Sequence, residues 1–418
     1  MREMKDSGTL AFGTIPSTWK ITKFKNLFCL RSTKNTGNRE LLSVYLDKGV
    51  ISYSDSDGMQ VHKPSESLAA YQNVEIGDFV LNNQQAWRGS VGVSKYRGII
   101  SPAYFVYSMT DECYAPYMNY LLRDSSMVHQ YELASRGVGT IQRNLFAPWL
   151  KNRIVLIPPI YEQKEIAVFL DSQCSEIDVI SADIQKEIEI LEQYKRSVIT
   201  EAVTKGLNPD AEMKDSGVPW IGKMPANWTC IKGKYILKYM QKPVKPDDGV
   251  ITCFRDGEVT LRSNRREDGF TMADKEIGYQ GIDVGDLVVH GMDGFAGAIG
   301  ISDSRGKASP VLNVLDSRQN KKYIMYYLRS MAYGDVFAAL ATGIRVRSCD
   351  LRWNKLSVLL YPVPPLEEQT EIVQYIEDTL NKVNGVISEK KQQLEVLDSY
   401  KKSLIYEYVT GKKEVPNE

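Results

Sequence analysis

The side chains best equipped for chemistry in this sequence are hydrogen-bonding groups gathered in loops. Asn82-Asn83-Gln84-Gln85-Ala86-Trp87-Arg88-Gly89-Ser90 follows a Gly-Asp strand signal and is rich in amides. Asn and Gln can bond an adenine edge twice, and Arg a guanine edge twice. Asn82, Asn83, Gln84, Gln85 and Arg88 are therefore candidates for reading bases. A glycine-containing stretch, Arg136-Gly137-Val138-Gly139-Thr140-Ile141-Gln142-Arg143-Asn144, adds Arg136, Thr140, Gln142, Arg143 and Asn144. Farther along, Arg262, Asn264, Arg265 and Arg266 form a third cluster, and His290 opens a fourth with Gly291-Met292-Asp293-Gly294-Phe295. Thr342-Gly343-Ile344-Arg345-Val346-Arg347-Ser348 supplies Arg345, Arg347 and Ser348. Each cluster also reads as a solvated loop in which Gly and Asn serve the backbone. Trp19, Trp149, Trp228 and Trp353 read as core or hinge packing rather than platforms for bases.

Catalytic spacings are missing. An amino-group methyltransferase needs an (Asn/Asp)-Pro-Pro-Tyr type of motif, whose side chain accepts hydrogens from the target amine. Ile157-Pro158-Pro159-Ile160 and Val363-Pro364-Pro365-Leu366 lack that acceptor. No phosphate loop of the Gly-x-x-x-x-Gly-Lys-(Ser/Thr) type occurs, which argues against ATP hydrolysis. Asp210, Glu212 and Lys214 crowd into a linker rather than a strand hairpin, so a nuclease centre is not expected. Three histidines without metal-ligand spacing and six cysteines without C-x-x-C pairs predict no metal and reduced, mostly buried thiols. The chain is thus expected to be non-catalytic and to hold no cofactor. With no apolar run near the ~20 residues of a membrane span, and no apolar core at the N-terminus, a cytoplasmic location away from membranes is expected.

The elements that would position these loops are written twice. Met4-Lys5-Asp6-Ser7-Gly8 recurs as Met213-Lys214-Asp215-Ser216-Gly217, and Gly13, Pro16 and Trp19 recur as Gly222, Pro225 and Trp228. Gly77-Asp78-Phe79-Val80 matches Gly285-Asp286-Leu287-Val288, and Ser101-Pro102 matches Ser309-Pro310. Pro158-Pro159 with Glu162-Gln163 matches Pro364-Pro365 with Glu368-Gln369; both Tyr-Lys-x-Ser segments (194–197 and 400–403) lead to a Val-Thr pair. A period of about 206–209 residues follows. Within 418 residues this gives a first head at 1–157, a helical spacer at 158–208, a second head at 209–363 and a second spacer at 364–418.

Each head mixes short β-rich runs (91–93, 154–157, 356–360) with helical stretches (117–122, 323–328), an α+β pattern. After each Pro-Pro pair about 40 residues lack proline and carry a heptad stripe. Leu170, Ile177, Ile184, Leu191 and Val198 are spaced by seven, flanked by Ile166, Ile180, Ile188 and Tyr194. In the second copy Ile372, Ile376, Leu380, Val383, Ile387, Leu394, Leu397 and Leu404 form the stripe, with Lys390 interrupting it. Two such helices in one chain supply each other's partner. The fold class expected is α+β, with two globular heads separated by an antiparallel coiled-coil spacer and an internal pseudo-twofold repeat; residues 166–203 would span roughly 57 Å as helix.

Zero net charge conceals an alternation. The four segments carry net charges of +5, −5, +4 and −4 in order. Basic heads suit phosphate contacts, and acidic spacers resist collapse onto a polyanion. Rigidly spaced heads also suit half-sites ~34–36 Å apart, one turn of B-DNA. A scaffold that joins two protein-binding heads without touching nucleic acid is the alternative.

The Pro-Pro-x-x-Glu-Gln-x-x-Ile helix starts, the Tyr-Lys-x-Ser…Val-Thr endings and the Lys-Asp-Ser-Gly-Val-Pro-Trp-Ile-Gly…Trp opening at 214–228 resemble the conserved regions of Type I restriction–modification specificity subunits. The resemblance covers essentially the whole chain, twice, although the first opening has Thr9-Leu10-Ala11-Phe12 where the second has Val218-Pro219-Trp220-Ile221. It implies two target-recognition domains on double-stranded DNA, two modification (methyltransferase) subunits on the spacer, and restriction (translocase and nuclease) subunits in the full complex. S-adenosylmethionine, ATP and Mg would be used by those partners. Because the heads diverge between their shared markers, an asymmetric bipartite target is expected.

Overall fold

A computed structural model describes residues 2–9, 12–35, 37, 39–56, 64–65, 67–138, 142–265, 277–340 and 351–416. They form two compact units, residues 1–184 with 392–418 and residues 185–391. Two long helices, Ile160–Lys205 and Leu366–Val409, each contribute one part to each unit.

In the first unit an antiparallel sheet runs in the order Phe28–Arg31, Tyr104–Met109, Phe79–Asn82, Val91–Val93. Side chains alternate between its faces, as the strand period requires. Phe79, Leu81 and Tyr107 join the core containing the helices Ala115–Arg123 and Ser125–Leu133. Val80 and Val106 point the other way, into a smaller core with Leu42, Val44 and Val50 of the hairpin Leu42–Tyr45/Gly49–Ser52.

The second unit repeats this plan. Its sheet order is Leu237–Met240, Leu312–Ser317, Leu287–His290, Ile299–Ile301. Leu287, Val289 and Leu315 meet the helix Lys321–Tyr333, while Val288 and Val314 meet the hairpin Ile251–Cys253/Val259–Leu261. Sheet and hairpin approach so closely that a Cβ on Gly300 would lie 1.9 Å from the Gly257 carbonyl oxygen. The repeated Gly-Asp pair is the turn into the third strand of each sheet. Gly77 and Gly285 have φ of 88° and 84°. Asp78 accepts the Glu75 amide at 2.8 Å, and Asp286 accepts the Asp283 amide at 2.8 Å.

The last strand of each head, Ile154–Ile157 or Leu360–Val363, pairs with Lys20–Lys23 or Thr229–Lys232 and leads into the Pro-Pro pair. The run 356–360, expected as a strand, is corrected here. Leu356 ends a helical turn (Trp353–Leu356) and is fully buried, and the strand starts only at Leu360. The offset of 206 from residues 154–157 places it there, because the pairing partner rather than the local apolar run decides where a strand forms.

The Glu-Gln pair then ties helix to head. The Gln163 amide is fully buried, donates to the Glu112 and Pro158 carbonyls at 2.8 and 2.9 Å, and accepts the Tyr114 amide at 2.8 Å. Gln369 donates to Gln319 Oε1 and the Pro364 carbonyl and accepts the Asn320 amide. Glu162 accepts the indole N–H of buried Trp19 at 2.9 Å, and Glu368 that of Trp228 at 2.9 Å. The Val-Thr endings close the same cores. Tyr117 donates to the Val409 carbonyl and Tyr323 to that of Val203. Gly206 and Gly411 then leave their helices at φ of 73° and 74°.

Within each unit the long helices run antiparallel. In the first, Phe169 packs on Tyr408 at 4.6 Å and Asp178 accepts from Lys401 at 2.5 Å. In the second, Ile199 and Val203 share a core with Ile372 and Ile376, and Lys390 pairs with Glu187. The lysine that interrupts the heptad stripe thus finds a carboxylate across the seam. Leu170, Ile177, Ile188 and Val198 are buried as the stripe predicts, but Ile180 and Tyr194 are each 49% exposed. They lie outside the 4–3 spacing that keeps a side chain facing the partner helix.

Two of the five described cysteines, Cys174 and Cys253, are buried, whereas Cys29 is exposed and Cys113 and Cys230 are intermediate; all five are free. The expectation of mostly buried thiols is corrected accordingly. Cys29 sits on a strand whose neighbour Leu30 is also exposed. Among the described residues no helix is long and apolar enough to cross a membrane.

Gly300→Ala should destabilise the second unit by about 1–3 kcal/mol, because backbone must move to admit the methyl group. Gly385→Ala, on an exposed helical position with nothing near its Cβ, should stabilise it by about 0.5–1 kcal/mol. Urea denaturation of both variants checks the opposite signs.

Candidate nucleic-acid interface

In the first head the strand Phe79–Asn82 delivers its chain into the amide-rich loop. Ser90 accepts the Asn82 amide through its carbonyl at 2.9 Å, closing the loop. Inside it, Asn82 Oδ1 accepts the Gln84 amide at 3.0 Å, and a 3-10 turn, Ala86–Arg88, plugs buried Ala86 into the core. Gly89, at φ 99°, ends the turn. Gln84, Gln85 and Arg88 are left exposed, with Asn82 and Asn83 half-buried. Asn83 Oδ1 is buried and meets no donor among the described residues.

The fold also carries the second cluster to this loop. Residues Ser135–Val138 and Gln142–Leu145 form a hairpin, and the Leu145 amide donates to the Asn83 carbonyl at 2.9 Å. The Trp87 indole donates to the Gln84 carbonyl at 2.9 Å and lies 5.3 Å from the Arg88 guanidinium and 5.0 Å from that of Arg143. Arg143 also pairs with Glu132 at 2.8 Å. Arg136, exposed, sits 3.4 Å from the Phe146 ring centre and 4.5 Å from that of Trp149. Asn144 is exposed on the same hairpin, Gln142 is part of its second strand, and Thr140 lies outside the described residues.

Trp19 and Trp228 are wholly buried, as core packing requires, and Trp353 is half-buried at 6.0 Å from Tyr239. Trp149 differs. It is 42% exposed, held edge-on by Phe146 and covered by Arg136, so it belongs to the surface of the candidate site. Its short helical turn, Ala147–Leu150, turns Leu150 inward and leaves Trp149 outside.

In the second head the loop after Leu287–His290 has the same path at an offset of 208. Gly291 replaces Asn83 in both closing bonds, donating to the Val311 carbonyl and accepting the Leu351 amide, each at 2.8 Å. The 3-10 turn Gly294–Ala296 ends at Gly297, φ 96°. His290 takes the place of Asn82, its Nδ1 accepting the Met292 and Asp293 amides at 3.2 and 2.9 Å. This histidine shares a cavity of about 630 Å³ with Arg262 and Arg265. Arg265 pairs with Asp256 and Glu258 and lies 4.2 Å from the Phe254 ring centre, whereas the Asn264 amide turns back to Thr260 at 2.9 Å. Arg266, Arg345, Arg347 and Ser348 lie outside the described residues.

Trp87 as the brace of the first loop, and Arg255 and Asp293 in the second cavity, were not singled out by residue type. Arg255 bonds Asp293 at 2.8 Å from 38 residues away. The constant offset of 208 would have exposed Phe295 as the counterpart of Trp87, and Asp293 as that of Gln85. What the two loops offer differs in kind. The first presents the exposed amides of Gln84 and Gln85 and the guanidiniums of Arg88 and Arg136 on aromatic rings; the second presents a histidine and carboxylates already engaged by arginines. Both are surfaces of directional donors and acceptors, and among the described residues no three His, Cys, Asp or Glu side chains gather to hold a metal.

Burial lowers the pKa of His290 below its ordinary 6.5 despite the neighbouring Asp293 carboxylate. The unfolded chain therefore takes up this proton first. The stability His290 contributes is present above about pH 6.5 and is lost as pH falls through its lower folded value. Protonation also forfeits both backbone bonds to Nδ1. Relative to the intrinsic exchange rate at each pH, the protection of the Met292 and Asp293 amides should fall between pH 8 and pH 5. His290→Asn, which installs the residue found in the first head, should abolish that pH-dependent loss of protection.

No family model matches the chain. A putative Type I restriction enzyme MjaX specificity subunit from Methanocaldococcus jannaschii is 23% identical over 436 residues, covering 96% of this chain and 95% of the relative. The MjaVIII specificity subunit of the same archaeon is 24% identical over 321 residues, 72% of this chain and 71% of its own. Among solved structures, a chain from work on complex assembly and conformational transition of the type I R-M system has a TM-score of 0.67 at 15% identity, covering 96% of this chain and 99% of that one. The HsdS subunit from Thermoanaerobacter tengcongensis gives 0.49 at 15% identity, with coverages of 96% and 98%. The chain, which repeats one head-and-helix plan, is thus similar almost end to end to a Type I restriction enzyme specificity subunit and shares its fold with a chain of a type I R-M system.

Proposed function

We propose that each head reads one half of an asymmetric bipartite site in duplex DNA, through the loop after the third strand of its sheet. The observation that carries this reading is one scaffold bearing two chemistries. The closing bonds, 3-10 turn and left-handed glycine are shared, while Asn82-Asn83-Gln84-Gln85 stands where the second head has His290-Gly291-Met292-Asp293. Phosphate contacts position a protein on DNA, and base-edge contacts specify the sequence. Different polar groups on equal frames then mean different half-sites. Arg136, Arg143, Asn144, Arg262 and Arg265 border the same two loops and belong to the proposed surface, as do Thr140, Gln142, Arg266, Arg345, Arg347 and Ser348 by their place in the sequence.

The long helices carry the other duties. Between the heads they set the spacing of the half-sites, and they dock two modification subunits. Val179 and Ile190, 58% and 55% exposed on the first long helix, and Val396, 62% exposed on the second, are apolar groups available for a partner helix. Methyl transfer and cleavage reside in the modification and restriction subunits, which bring S-adenosylmethionine, ATP and Mg; the modification subunit flips the target adenine out of the duplex.

Sequencing the methylated motifs of the source genome, followed by binding assays with the chain and its methyltransferase partner, tests the reading. The expected motif is bipartite and non-palindromic, the isolated chain transfers no methyl group, and log affinity falls steeply with log salt, by about 0.9 per phosphate contact. A palindromic motif, or binding indifferent to salt, rules it out in favour of a protein-binding scaffold.

A further inference from the structure

Resting on that reading, we propose that the first head recognises a guanine through Arg88, with Trp87 as its positioning residue. A guanidinium that is to read a base must keep its donors open and lose little freedom on binding. Arg88 meets both requirements. It is exposed, forms no ion pair among the described residues, and lies on the Trp87 ring at 5.3 Å. Stacking on an aromatic face leaves all the in-plane N–H groups of Arg directed outward. Trp87 itself is fixed, since its indole N–H is held by the Gln84 carbonyl and Arg143 approaches at 5.0 Å. Arg143 is otherwise engaged by Glu132, which leaves Arg88 as the open donor on this ring.

The second head shows the same place without the device. Phe295 and Ala296 stand where Trp87 and Arg88 do, as the last two residues of the same 3-10 turn, just before the same left-handed glycine. There the nearby arginines, Arg255 and Arg265, are bound to Asp293, Asp256 and Glu258. An open fork of donors matches the O6 and N7 acceptors that guanine alone presents in the major groove. The guanine therefore belongs to the half-site of the first head, and the second head reads by other means at this position.

The test uses the full chain with its modification partner and duplexes carrying the methylated motif of the source genome. In a parallel set each guanine is replaced singly by 7-deazaguanine, which lacks the N7 acceptor. Arg88→Ala should weaken specific binding by about 5- to 150-fold, the range of one bidentate contact, and leave non-specific binding unchanged. One 7-deazaguanine position should weaken the wild type and have no further effect on Arg88→Ala. Trp87→Phe, the pair-mate of Phe295, should relax discrimination at that same position without changing the midpoint of thermal unfolding. Equal loss of specific and non-specific binding, with a salt slope reduced by about one, would make Arg88 a phosphate contact and overturn the proposal. If neither Arg88→Ala nor Gln84→Ala/Gln85→Ala alters binding, the interface reading of the loop fails with it.

Discussion

Each head is joined to its long helix by a buried amide that has no freedom to be anything else. Gln163 and Gln369 are completely enclosed, and each satisfies its N–H₂ and carbonyl against the loop before the first helix of its head and the Pro-Pro carbonyl. A buried amide left unpaired costs about 1–3 kcal/mol per lost partner, so two segments, that loop and the Pro-Pro pair, must stay in register for the helix to start where it does. One residue earlier, Glu162 and Glu368 grip the indoles of Trp19 and Trp228, which bury the opening hairpin of each head. The paired motif is therefore a joint. That explains why Pro-Pro-x-x-Glu-Gln recurs in register although it carries no chemistry toward a substrate.

The joint has a consequence for the candidate site. The strand leading into the Pro-Pro pair, the sheet, and the candidate loop are all parts of one core in each unit. A loop supported in this way can change its exposed residues freely, because its path is fixed elsewhere: by the amide of residue 83 or 291, by the carbonyl of the same residue, and by the glycine at 89 or 297. Asn83 and Gly291 make the same two backbone bonds with different side chains. Divergence of side chains on a constant frame is thus built into which atoms do the holding.

The architecture was legible in the sequence wherever a constraint was local or periodic. The repeat markers sit at turns and helix starts, where one residue type answers one backbone need, and the heptad stripe announced helices that pair. Contacts across long stretches of sequence were not legible. Nothing near Asn83 foretells that Leu145 closes its loop, and nothing near Arg136 foretells Phe146 and Trp149 beneath it, so Trp149 read as core. Ile180 read as part of the seam because it is apolar; only the partner helix decides which faces are covered. Lys390 looked like a defect for the same reason, since its carboxylate partner is Glu187, 203 residues away.

The charge alternation gains a physical reading from these contacts. In the second head, carboxylates consume much of the basic charge: Lys242 and Arg305 hold Asp283 down to about 2, and Asp248, Asp256, Glu258 and Asp293 take Arg305, Arg265 and Arg255. The first head likewise pairs Arg39 and Arg97 with Glu75, Arg31 with Asp78 and Arg143 with Glu132, but holds Arg88 and Arg136 on aromatic rings. Similar net charges therefore stand for different surfaces. A guanidinium neutralised by a carboxylate must break that pair before it can meet a phosphate or a base, whereas one stacked on an indole need not. Around the two candidate loops the cations are thus held differently, Arg255 and Arg265 by carboxylates and Arg88 and Arg136 on aromatic rings, so a count of Lys and Arg does not by itself describe either surface.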